Sequence, residues 1–231
     1  MNRYIPAIVV AVVALVVAGV GYFLYDRFSP AGEAMAEFRE MPLGGLAIRD
    51  HPEVEPRLRK AVEDEEANPT LDGPTRPLLV VAELRRELLA PALRGADDAS
   101  AIAAMAARVA LVSYLQKADP TACHEFATGG IAHVDRLDNE GQRLFRDLLT
   151  AMEAAYRSGR KASPLPRMLN RQEMGVMLQR AGFTKPDFDK LNNFGTLSSD
   201  VSCEIELKID SVPPKLEPEW RGPFSRFIIA Q

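Results

Sequence analysis

Residues 200–210 read DVSCEIELKID, and two folds compete for them. Val201, Cys203, Ile205, Leu207 and Ile209 alternate with polar residues, the period of a half-buried strand. Val201, Ile205, Ile209 and Val212 also share one face of a helix. Ser198-Ser199-Asp200 supplies a helix N-cap, and Pro213-Pro214 a stop. A strand needs a neighbour for its backbone hydrogen bonds, and no other stretch of the chain reads as one. The helix is preferred, and with it an all-α fold.

The rest of the chain is consistent with this choice. Only 7% of its 231 residues are aromatic, and Ala and Leu carry much of the apolar mass, which favours helices over a β-sandwich. The most regular pattern runs from Leu137 to Ser158, with Leu137, Leu144, Phe145, Leu148, Met152, Ala155 and Tyr156 on one face and Gly159 placed to close it. An Ala-rich helix from about Asp98 to Lys117, capped by Asp97 or Asp98, shows Ile102, Met105, Val109, Val112 and Gln116 on one side. Its small residues predict close contacts and a central position. Asn170 and Glu173 have capping-box spacing, ahead of Met174, Met177, Leu178 and Ala181. Leu78 to Leu89 predicts a helix ended by Pro91 and Gly95, and Pro52 to Glu66 a thin surface helix with Val54, Leu58 and Val62 inward. Trp220 and Phe224 to Ile229 are too apolar to stay in water and are expected to dock. A domain of roughly six to eight helices over residues 52–231 results.

Residues 5–25 read IPAIVVAVVALVVAGVGYFLY. From Tyr4 to Tyr25 nothing is charged, and as a helix this segment spans roughly 33 Å, enough for the ~30 Å hydrocarbon layer. A cleavable export signal has a shorter apolar region and small residues after it. Here Tyr22, Phe23, Leu24 and Tyr25 follow, an interfacial aromatic belt. Residues 1–25 are therefore expected to be a retained single-pass signal-anchor in the lipid bilayer. The short basic N-terminus points inward, which places the C-terminal domain in the periplasm of a bacterial inner membrane. Residues 26–51, with Pro30, Pro42 and Gly44-Gly45, read as a tether with little core of its own. Ala7, Ala11, Ala14, Ala18 and Gly21 form a small-residue stripe. It is a candidate for helix self-association in lipid, although an ordinary lipid-facing anchor explains it at least as well.

The chemistry visible in the sequence is sparse. Cys123 and Cys203 are the only cysteines. In an exported domain a disulfide between them is expected, the alternative being two buried thiols. Cys123-His124-Glu125 cannot converge from a single helical turn, so a metal or Cys–His site there is disfavoured. The acid pairs Asp97/Asp98, Asp135/Asp138 and Asp187/Asp189 fall at helix starts, where capping explains them. Glu63-Asp64-Glu65-Glu66 lacks the glycine and ligand spacing of a calcium loop. There is no nucleophile elbow, phosphate loop or dinucleotide fingerprint. A net charge of -4 with mixed signs argues against nucleic-acid binding. The sequence calls for no cofactor and no metal. It reads as a membrane-tethered interaction or structural module of the cell envelope with an unspecified envelope partner. The alternative is a periplasmic enzyme without local motifs, using His124 or His133. A pocket with converging polar groups would favour the enzyme, and an apolar groove the binding module.

Overall fold

The computed structural model describes residues 29–71, 75–131 and 134–231. These residues are all-helical, without strands. The membrane segment expected at residues 4–25, with its Ala and Gly stripe, lies outside them.

Residues 200–210 are helical, in α11 (Ser199–Asp210). The central element is α6 (Asp98–Ala118), started by Asp97, whose carboxylate accepts from the Ser100 N–H at 2.7 Å. It packs on α7 (Pro120–Thr128), α8 (Asn139–Gly159), α11 and α12 (Pro218–Ile229). Among the described residues α6 is the one helix long and apolar enough to cross a membrane, but Leu111, Val112 and Leu115 on it are fully buried and helices surround it. Its inner stripe is Ala101, Ala104, Met105, Leu111, Val112 and Leu115. That stripe is turned from the expected one toward the preceding residues, and Arg108 lies in its middle.

A second core holds α9 (Arg171–Arg180) and α10 (Lys185–Asn192) against α11 and α12 through Met177, Leu178, Phe183, Ile205 and Phe224. The capping box of Asn170 and Glu173 is present. Phe224 and Ile229 are buried as expected, while Trp220 is half-buried beneath the Arg167 guanidinium. Buried Arg226 donates to the Ala96 and Arg167 carbonyls and pairs with Asp98, which ties α12 to the start of α6.

Three expectations need correction. The tether reading of residues 26–51 fails from residue 30 onward. α1 (Pro30–Glu40) and α2 (Pro42–Asp50) are helices that bury Met35 and Leu46 against α3 (Val54–Ala67) and α8. Pro42 opens α2 at its first turn, where its missing N–H costs nothing. Gly44 and Gly45 face the Phe38 and Arg39 carbonyls so closely that no side chain would fit. These glycines serve close packing and do not break the helix.

Pro91 also fails to end its helix. α4 (Arg76–Leu84) continues through a π-helical turn (Arg85–Leu89) into α5 (Ala90–Arg94). The Ala90 N–H reaches back five residues to the Arg85 carbonyl, and this wider turn accommodates the proline that follows. Gly159, expected as a left-handed terminator, is a buried helical residue whose Cα faces the Ala92 carbonyl at the crossing of α5 and α8.

Candidate functional site

Cys123 on α7 and Cys203 on α11 are joined, with Cα atoms 5.6 Å apart, inside the range that a disulfide accepts. Their chain neighbours make a second link. His124 Nδ1 lies 2.6 Å from Ser202 Oγ. The Ser202 hydroxyl donates to the Ser199 carbonyl at 2.9 Å, so its oxygen accepts from a protonated Nδ1. Ser202 is fully buried in the α7–α11 seam. The contact thus serves as a brace between helices and presents no nucleophile to a cleft. His51 Nε2 meets the Tyr156 hydroxyl at 3.3 Å, and His133 lies outside the described residues. No group of three His, Cys, Asp or Glu side chains converges as a metal site among the described residues.

One member of each acid pair, Asp97, Asp138 and Asp187, accepts bonds at a helix start as the capping argument requires, whereas Asp98 pairs with Arg226. Asp138 accepts from the Gly141 N–H at 2.8 Å. Asp187 accepts from the Thr184 N–H and hydroxyl, both at 2.7 Å, and binds Lys208. Glu65 of the acidic run accepts from the backbone N–H groups of Thr70 and Arg76, which pulls its carboxyl down to about 2. It staples a loop.

Sequence reasoning missed a charged cluster behind the seam. Arg108 Nε lies 2.9 Å from both carboxylate oxygens of Asp210, and its Nη2 pairs with Glu206. Its guanidinium also covers the Phe126 ring at 4.6 Å. The Asp210 side chain is wholly buried. Burial raises its carboxyl to about 7, Glu206 adds to that, and Arg108 opposes it. The two carboxylates in turn hold Arg108 above the usual arginine value against its own desolvation. The signal was present in the helical spacing: Cys203, Glu206 and Asp210 share one face of α11, just as Arg108 shares one with Met105, Leu111 and Val112.

Beside this cluster is an apolar cleft of about 220 Å³. Phe38, Leu43 and Ala47 of α1 and α2 form one wall, and Phe145, Leu148 and Met152 of α8 another. Leu84, Leu88 and Leu89 come from α4 and the π turn, and Phe126 and Gly130 close the α7 end. Arg85 and Arg108 are the only polar side chains among its described lining residues. Arg85 is half-buried, and no hydrogen-bond or ion-pair partner reaches it among the described residues. Desolvation and the neighbouring Arg108 lower its pKa, with Glu206 offsetting part of the effect. It stays protonated, as arginine does in proteins. The cleft exists because α1 and α2 pack as helices, so reading them as a tether concealed it. No family model, no curated protein and no solved structure matches this chain.

Proposed function

We propose that this protein is a single-pass inner-membrane protein whose helical domain faces the periplasm and acts as a binding module that takes up an apolar group. The apolar cleft carries this reading. Its described lining has no acid, histidine, serine or cysteine to serve as base or nucleophile, so it is suited to binding by shape and desolvation. Its volume exceeds the ~150 Å³ that holds a benzene-sized molecule, which fits one alkyl chain. The Cys123–Cys203 link supports an oxidising compartment, because such bonds persist outside the cytosol. The uncharged stretch from residue 4 to residue 25 supports a retained anchor.

Two measurements test this reading. In cells with a permeabilised outer membrane, an impermeant thiol reagent should label the buried Cys123 and Cys203 only after reduction in urea that unfolds the domain while the inner membrane stays intact. Labelling that requires inner-membrane rupture but no reduction would place the domain in the cytoplasm. In inner-membrane vesicles containing the full chain, an uncharged ten-carbon alcohol bearing a terminal diazirine should crosslink to α2, the π turn and α8. Crosslinks confined to residues 1–28 would refute the binding role of the cleft.

A further inference from the structure

Resting on that reading of the cleft, we infer that its occupant is a monoanionic single-chain amphiphile: an alkyl chain held among the leucines, with a terminal carboxylate received by Arg85. Three observations converge on Arg85. It lines an otherwise apolar cleft, alongside Arg108. It has no partner among the described residues, whereas Arg108 is committed to Asp210 and Glu206. It also begins the π-helical turn, whose Leu88 and Leu89 line the same cleft. A π turn widens a helix locally and re-aims side chains, and such turns concentrate at functional sites.

The charges decide what kind of head group fits. Arg108 has one positive charge and faces two carboxylates, so that cluster has no attraction left for an anion. Arg85 is the one uncommitted cation on the described lining, and its planar N–H fork matches a carboxylate. A cationic head would meet like charge with no nearby carboxylate free to answer it. A dianionic phosphate would leave one charge unneutralised against leucine and phenylalanine, a costly arrangement. The cleft volume of about 220 Å³ is smaller than the ~300–1,000 Å³ of drug-sized sites and suits one chain better than a two-chain lipid.

The test uses the full chain in inner-membrane vesicles and the diazirine alcohol described above as reporter. Decanoate, decanol, decyl phosphate and decyltrimethylammonium compete for the cleft crosslinks. Comparing wild type with variants in the same vesicles cancels partitioning into lipid. Decanoate should compete best, and Arg85→Leu should weaken it roughly tenfold or more, the least expected from one charge-assisted hydrogen bond. Decanol should be unaffected by Arg85→Leu, and Arg85→Lys should recover part of the loss. Unchanged decanol competition also shows that the variant has kept its cleft. If Arg85→Leu weakens decanol as much as decanoate, or leaves decanoate unchanged, the head-group assignment falls while the apolar cleft stands. Stronger competition by decyl phosphate would overturn the carboxylate. If even the alcohol fails to crosslink to the cleft, the reading beneath it fails as well.

Discussion

Reduction of the link between Cys123 and Cys203 tests how the domain is held together. The two cysteines are 80 residues apart in the chain. The loop they close contains most of α7, all of α8 to α10 and the start of α11. In the chain-entropy treatment, opening a loop of this size returns about 4.5 kcal/mol of conformational freedom to the denatured state. For a domain whose total stability is ~5–15 kcal/mol this is a large share, and it corresponds to a fall of roughly 9–18 °C in Tm. The native state should survive reduction. Arg108 still binds Glu206 and Asp210 across α6 and α11, and His124 still meets Ser202. The assay is guanidinium unfolding of the full chain in a mild detergent, followed by helical circular dichroism, with oxidised and reduced protein compared. The slope on denaturant should rise on reduction as the denatured state expands. A Cys123→Ala/Cys203→Ala protein should behave like the reduced one. A difference below about 1 kcal/mol between oxidised and reduced protein would refute the cross-link as a main source of stability. So would thiols that titrate in the unreduced native protein.

Arg108→Ala should destabilise the domain by about 3–5 kcal/mol at pH 8, because it leaves the buried Asp210 carboxylate without its cation. Denaturant titration at pH 5 should show a smaller loss, since Asp210 can then hold a proton. The pH dependence of the native protein has a definite sign at this residue. Burial raises the folded-state carboxyl to about 7, so the native state binds more protons than the unfolded one between the ordinary carboxylate range and neutrality. Asp210 therefore contributes a stability that falls as pH rises toward about 7 and levels off above it. Asp210→Asn should remove that component, and parallel pH profiles for variant and wild type would contradict it. Gly159→Ala should cost about 1–3 kcal/mol by driving a methyl group into the Ala92 carbonyl and separating α5 from α8; an unchanged Tm would mean that the helices are not in such close contact.

Local chemistry in the sequence located much of the fold. Asp97, Asp138 and Asn170 could be placed as caps because capping depends on side chains within three residues of a backbone N–H. The helical reading of residues 200–210 followed from Ser198 at one end and Pro213 at the other, with no partner strand elsewhere. Misreadings arose where a residue's role depends on what faces it. Gly44, Gly45, Pro91 and Gly159 look like helix breakers in isolation. In the fold, Gly44, Gly45 and Gly159 are places where a carbonyl comes too close for a side chain, and Pro91 follows a widened turn that accommodates it.

The sequence by itself determined the helical character, most helix starts, the presence of just two cysteines and an uncharged stretch long enough for a bilayer. All of these depend on neighbours along the chain or on composition. Tertiary structure alone decided that Arg108 faces Glu206 and Asp210 about a hundred residues away, and that α1 and α2 wall an apolar cleft in which Arg85 has no partner among the described residues. Pairing and concavity come from helices packing at particular crossings, and spacing along a single helix does not encode which distant helix its face will meet.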